Sequence, residues 1–383
     1  MTAPTPTPTP ATSRWLDLGL LLKEKVEPID WLIDGVLPSG TVGDVFGGPG
    51  TGKSSVILSL ALTVAAGGGT WFGKKVAGGR VMILGGEKSA RKIWVTDLNR
   101  CAAGMNIEIE AQRIIAPDGS VGSIWQWMRD GWQTGPGFDY AVEEAKKFGP
   151  TLTIIDTIGR GALGQDPIDI PQQQMLANLL EKFRERVGGT VLTISHTNQA
   201  SGKDTLRNRL RYESRAGGNG LPGHLRWLLA MTPVRPEESA IWRGVEVEDD
   251  AAMEAHEMRS LVAVSVAKHN EMPRPKNGWS NHQPLILEMM EDGSLMSLGY
   301  TSAATLEIDA QTVAERKAAK RSEGRQKKKS RWSKPRKPTS SAEDTHEAGR
   351  RAVLEAPDVF GDEYDESATR SNPQAQEDDD GRF

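Results

Sequence analysis

Cysteine is nearly absent from this 383-residue chain, Cys101 being the only one. A single thiol excludes an intramolecular disulfide and any multi-cysteine zinc module, and it suits a reducing compartment. Apolar residues are also scarce, at 37% of the chain, so one part is expected to pack while the rest stays solvated. No run reaches the ~18 apolar residues of a membrane span, and the start lacks the charged-then-apolar order of a secretory signal. No membrane partner is therefore expected, and the expected location is the cytoplasm. The near-neutral net charge of -4 hides strong segregation along the chain.

Both ends read as unstructured. Residues 1–13, with Thr-Pro repeated from Thr5 to Pro10, are expected to form a disordered, extended arm. Residues 14–37 form a lead-in with a short helix between Trp15 and Leu22, and residues 38–300 carry the globular domain. Beyond it, residues 301–337 form a basic linker or helix. From Gln311 to Lys337 there are 12 Lys and Arg against two Glu, whereas Pro338 to Phe383 holds 13 Asp and Glu against four Arg. The basic run suits DNA phosphates or shielding by its acidic neighbour, and the 338–383 tail is expected to be disordered.

The centre of the sequence is Gly47-Gly48-Pro49-Gly50-Thr51-Gly52-Lys53-Ser54-Ser55. It lies between an apolar β-like run, Thr41 to Phe46, and a helical run from Ser54 to Ala66, the strand-loop-helix context of a phosphate-binding P-loop. Glycines let successive backbone N–H groups turn around phosphate oxygens. Lys53 would neutralise the β- and γ-phosphates, Ser54 would ligate Mg²⁺, and the helix N-terminus adds its positive dipole end. ATP and Mg²⁺ are thus the expected ligands.

Later strands extend this pattern. Arg80 to Leu84 is a compact apolar run followed by Glu87, and an acid at the carboxyl end of a parallel strand lies over the triphosphate, placed to orient water. Thr151 to Asp156 reads as a buried strand whose terminal aspartate reaches Mg²⁺. Gly159 to Asp169 reads as a flexible loop and Ile170 to Val187 as a helix with its apolar positions at helical spacing. Thr190 to Ser195 is a further strand, ending at His196. From Lys203 to Arg215, Lys203, Arg207, Arg209, Arg211 and Arg215 outnumber Asp204 and Glu213, which suits a loop gripping a nucleic-acid backbone, against the plainer reading of a solvated loop. Trp125, Trp127 and Trp132 read as loop packing in preference to base stacking, since only Arg129 is interleaved with them. Thr232 to Met258 shows two acidic clusters and little periodicity. Pro284 to Met289 and Ser294 to Leu298 form a terminal β-hairpin, and the domain is expected to end near Tyr300.

Several motifs carry a family resemblance. The entry Ile33-Asp34-Gly35-Val36-Leu37-Pro38-Ser39-Gly40, the run Gly86-Glu87-Lys88-Ser89-Ala90-Arg91, the stretch Ser195-His196-Thr197-Asn198, Gly223 to Ala230 and Ser265 to Asn270 together resemble RecA-like ATPases of the plasmid RepA and DnaB hexameric helicase type. The resemblance implies an α/β, RecA-like P-loop NTPase core with a mostly parallel central sheet flanked by helices. It also implies a catalytic role for Glu87, a γ-phosphate-sensing role for His196, an arginine finger at Arg226, and Lys268 beside it, with Asn270 standing where DnaB-type relatives carry an arginine. A finger supplied across a subunit boundary makes turnover depend on assembly. The implied protein is a plasmid or phage replication helicase that forms a ring, of six copies by the resemblance, on single-stranded DNA in a bacterial or phage-infected cell. The acidic tail ending in Phe383 would dock a replication partner. Two other classes share the ATP residues: a RecA-like recombination or repair ATPase and a KaiC-like regulatory ATPase.

Overall fold

The computed structural model describes residues 18–23, 28–85, 95–110, 112–118, 122–129, 131–163, 169–198, 200–216, 220–270, 278–290 and 292–332. Two compact units divide the chain, Met1–Arg321 and Ser322–Phe383. The arm at 1–13, the residues flanking Glu87 and the acidic tail lie outside the described residues.

The first unit is built on a nine-stranded sheet. Its strands are β1 (Val42–Gly47), β2 (Val81–Gly85), β3 (Ile114–Ile115), β4 (Leu152–Asp156), β5 (Thr190–His196), β6 (Trp227–Pro233), β7 (Ser260–His269), β8 (Leu285–Met289) and β9 (Leu295–Tyr300). Across the sheet the order is β9-β8-β7-β6-β1-β5-β4-β2-β3. The strands from β6 to β3 in that order run parallel, and β7, β8 and β9 extend one edge as an antiparallel meander. This is the mostly parallel α/β core expected from the resemblance, with the expected hairpin at β8–β9.

The parallel strands are mostly apolar because both faces are covered. Every residue of β1 and of β4 is buried. On one face α1 (Lys53–Ala65) packs Val56, Leu60 and Val64, and α2 (Val95–Met105) adds Cys101, against Val45, Ile83, Ile154 and Ile194. On the other, α3 (Pro136–Phe148) and α4 (Ile170–Val187) set Phe138, Val142, Leu176, Leu180 and Phe183 against Phe46, Leu84 and Val191. The helix bounds follow from local chemistry. The Asp169 side chain caps α4 by accepting from the Gln172 N–H at 3.0 Å, Pro171 follows in its first turn, and Gly149 ends α3 in the left-handed region at φ 64°.

Three readings change. A four-stranded antiparallel sheet joins Trp31–Ile33 and Leu37–Pro38 to a hairpin of Gly68–Trp71 with Lys74–Ala77, which the glycine-rich sequence there conceals. The Gly159–Asp169 segment is not all loop, since Ile158–Gly161 is helical and Ala162–Leu163 pairs with Trp125–Gln126. That pairing completes a small sheet with the hairpin Trp125–Met128 and Gly131–Thr134, so the tryptophans are packing residues. Trp125 is fully buried against Phe138 and Phe183, and the Trp132 ring N–H donates to the Gln172 carbonyl. Finally, the domain does not stop at Tyr300: α5 (Ala303–Trp332) buries Ala303, Leu306 and Val313 and carries the compact unit on to Arg321.

Candidate nucleotide-binding site

The strand register gathers the candidate residues at one end of the sheet. In β1, β5, β4 and β2 the carboxyl ends lie side by side, with His196 opposite Gly47 and Asp156 opposite both Ile194 and Gly85. The P-loop leaves β1 at Gly47, bends through Gly50 and Gly52 at φ 71° and 73°, and enters α1 at Lys53. Left-handed backbone at two positions explains those glycines. Gly47 is required by crowding instead, because a Cβ there would lie 2.6 Å from the Met231 carbonyl oxygen.

Lys53 is buried and its Nζ donates to the carbonyls of Gly47 at 2.9 Å and Gly48 at 2.7 Å, so the ammonium is held inside the curl of the loop. No side chain caps the start of α1, which leaves its first amides and its dipole directed into the loop. Thr51 closes the turn by donating to the Gly48 carbonyl at 2.9 Å. On the other flank the Ser54 hydroxyl stands 3.5 Å from a carboxylate oxygen of the buried Asp156. A cation, a helix start with no side-chain cap and paired hard oxygen donors fit a nucleoside triphosphate with Mg²⁺. Among the described residues no group of three or more His, Cys, Asp or Glu side chains could hold a metal ion by itself.

Behind the loop lies an arrangement the sequence reading missed. Asp44, fully buried in β1, accepts from the hydroxyls of Thr193 at 2.6 Å and Ser195 at 2.7 Å and from Nε of Arg215 at 2.6 Å. Its signal was present, since a carboxylate inside an apolar strand needs a buried donor set. Arg215 also sits where the loop after β5 returns: Thr197 bridges to it, and the Ala216 N–H donates to the His196 carbonyl at 2.8 Å. The ion pair therefore pins the base of that loop beneath the nucleotide end of the sheet.

This corrects the reading of the basic loop. Arg215 and Arg209 are both buried and face inward, so neither presents its charge to a nucleic acid. Arg209 pairs with the buried Glu238 at 2.5 Å and donates to the Thr232 hydroxyl and the Pro233 carbonyl, tying the loop to the start of the 233–258 segment. Burial pushes the Arg209 pKa down, against the pull of Glu238. Lys203 and Arg211 are exposed, and Arg207 is half-exposed in an ion pair with Glu307 at 3.1 Å.

Arg226 and Lys268 lie elsewhere. The parallel register places Trp227 opposite Gly43, so the residues just before β6 sit at the amino end of β1 and not at the P-loop end. Lys268 is paired with Leu228 on that same side, and the Asn270 N–H donates to the Arg226 carbonyl at 3.1 Å. Arg226 is exposed; Lys268 is half-buried and donates to the carbonyls of Pro222 and Gly223 at 2.7 and 2.8 Å. Burial, and then the neighbouring Arg226 charge, lowers the Lys268 pKa. Four residues of strand, roughly 13 Å at ~3.3 Å each, separate this pair of cations from their own P-loop. His196 is exposed at the P-loop end, and Glu87 itself lies outside the described residues, two positions beyond the end of β2.

A glycine-rich loop around a buried lysine, with a serine and an aspartate meeting beside it, defines a P-loop nucleoside-triphosphate-binding domain. The family model for the AAA domain matches residues 5–202. The chain belongs to that family, and it is an ATPase by that membership. The match ends before Arg226 and Lys268. Among solved structures, the chain is similar to the ATPase domain of G40P, at 13% identity over 67% of this chain and 84% of that one, with a TM-score of 0.44. It is similar to the KaiC-like protein PH0186 from Pyrococcus horikoshii OT3, at 17% identity over 70% of this chain and 99% of that one, with a TM-score of 0.41. A DnaB-like replicative helicase, described with its interactions with primase, matches at 13% identity over 67% of this chain and 57% of that one, with a TM-score of 0.44. Among curated proteins, none matches the chain in sequence. No described helix is long and apolar enough to cross a membrane.

Proposed function

We propose that this protein is an ATP-driven translocase or helicase on single-stranded DNA, working in replication as a ring that hydrolyses ATP at its subunit interfaces. The observation that carries the reading is the placement of Arg226 and Lys268 about a strand's length from their own P-loop, at the opposite end of the neighbouring strands. Two adjacent cations there serve no phosphate of their own subunit. They suit the phosphates of a neighbour stacked head to tail, which generates rings.

In this reading Gly47 to Ser55 hold the phosphate chain, with Lys53 exchanging its two loop carbonyls for phosphate oxygens. Ser54 and Asp156 hold Mg²⁺, which when bound supplies charge neutralisation for phosphoryl transfer. Glu87 orients the attacking water, His196 senses the terminal phosphate beside Gly47, and Arg226 with Lys268 reaches in from the next subunit. Lys203, Arg207 and Arg211 remain to meet DNA phosphates. The tail ending in Phe383 is the docking point for a replication partner.

The test is ATP turnover by the full chain with and without single-stranded DNA, for wild type, Lys53→Ala, Arg226→Ala and a mixture of the two variants. DNA should stimulate the wild type, each variant alone should be nearly inactive, and the mixture should regain activity because intact loops then meet intact fingers. Turnover indifferent to DNA, with no binding to a labelled oligonucleotide, refutes the helicase reading and favours a regulatory ATPase. Full activity of Arg226→Ala refutes the finger.

A further inference from the structure

The loop after β5 holds more than charge. Between its residues 205–213, the end of β7 and the 281–282 turn lies a cleft of about 470 Å³, away from the P-loop, lined by Arg207, Arg211, Tyr212, Glu213, Asn281 and His282 among others. Its volume falls within the range of small-molecule sites, which run from ~300 to ~1,000 Å³. Its walls combine three chemistries. Tyr212 packs on the apolar layer beneath and also faces the cleft, so it offers a fixed ring. Arg207, Arg211 and His282 supply donors at the rim. Glu213 supplies the unusual element: one carboxylate oxygen accepts from Arg211 at 3.0 Å, while the other is buried with no donor among the described residues.

A buried carboxylate oxygen without a donor is costly, and a turn of the half-exposed Glu213 side chain towards a cleft ligand that supplies an N–H recovers that cost. We propose that this cleft seats a nucleobase carrying an exocyclic amino group, from the single-stranded DNA named above, with Tyr212 stacking on its face and Glu213 accepting from its amine. Cytosine, adenine and guanine offer that amine. Thymine does not: its one ring N–H lies between two carbonyl oxygens, which would face the carboxylate. The inference rests on the DNA-binding reading and adds to it a base preference that phosphate contacts alone do not produce. It also opposes the default, since strands bound only by stacking and charge show preferences set by flexibility and stacking strength.

The experiment is fluorescence anisotropy of the full chain with labelled dC20 and dT20 at one fixed salt concentration, both pyrimidine strands with weak self-stacking. Wild type should bind dC20 about tenfold more tightly, the worth of one charge-assisted hydrogen bond. Glu213→Gln should bring the two affinities within about twofold, because its amide can donate to thymine as well as accept from cytosine. Tyr212→Leu should weaken both strands and leave their ratio intact, which keeps the proposal testable if Glu213→Gln fails to fold. Equal binding of both strands by wild type, or an unchanged ratio in Glu213→Gln, overturns the base site while leaving DNA binding in place. Binding of neither strand overturns the DNA reading and the cleft's occupant with it.

Discussion

Removing Arg215 is the sharpest perturbation available outside the nucleotide loop. Its guanidinium is 5% exposed and Asp44 is fully buried, with 2.6 Å between Nε and the carboxylate. Arg215→Leu would leave that carboxylate in the sheet interior with only the Thr193 and Ser195 hydroxyls. Breaking a buried ion pair from one side costs about 3–5 kcal/mol, and the two remaining donors place this case near the lower end, about 3 kcal/mol. With a urea dependence of about 3 kcal/mol per M, the unfolding midpoint should fall by about 1 M. Tryptophan fluorescence reads the transition, with Trp227 among its reporters, packed so close to the neighbouring Gly43 that an added Cβ would lie 2.5 Å from its ring. The double variant Asp44→Asn with Arg215→Leu removes the stranded charge and should recover most of the loss. A midpoint shift under about 0.3 M in the single variant, or a double variant as unstable as the two single losses added together, refutes the account of Arg215 as a buried latch.

Two further outcomes follow from the same geometry. His256 is buried with its Nε2 2.9 Å from the Ser239 hydroxyl, and burial, then Arg259 and Arg243, lowers its pKa below the ordinary 6.5, with Glu288 pulling weakly the other way. The unfolded chain therefore takes the proton first, so stability should fall as pH drops below 6.5, by at most about 1.4 kcal/mol per pH unit, and His256→Gln should flatten that slope in urea titrations between pH 7 and about 5. For DNA, each phosphate contact on a single strand contributes about 0.7 to the slope of log affinity against log salt. Replacing Lys203, Arg207 and Arg211 together by Gln should lower that slope by at most about 2, and a larger fall would mean that the buried arginines reach DNA after all.

How much of this was legible in the sequence depends on what each residue must do. The P-loop, β4 with its terminal Asp156, α4 from Ile170 to Val187 and the β8–β9 hairpin were legible to within a residue or two, because local rules fix them: glycines where the backbone turns, apolar runs where both faces are covered, a capping aspartate and a proline at a helix start. The Gly68–Ala77 hairpin was not, because its strands are only four residues long, glycines open the first, and the sheet they join is completed by a distant strand, Trp31–Ile33, through Ile33 and Val76. The domain boundary was misplaced at Tyr300 because the few apolar residues of α5 sit within a strongly charged helix. Ala303, Leu306 and Val313 matter only through what lies beneath them, including Ala240, Val247 and Met253 for Val313.

The basic loop shows why a charge count misleads where packing decides. Five cations within 203–215 look alike in sequence. Their fates are separated by partners lying far along the chain: Asp44 for Arg215, Glu238 for Arg209 and Glu307 for Arg207. Each pair joins the loop to a different part of the domain, respectively the P-loop strand, the 233–258 segment and α5. The loop is thus held at three points, while Lys203 and Arg211 stay exposed. Fixed ion pairs of this kind spend charge on position, and the position they fix is that of Tyr212 and Glu213 over the cleft, between two of the anchored arginines. A loop meant only to attract phosphate would have no need for that rigidity, whereas one that sets a ring and a carboxylate against a base requires it.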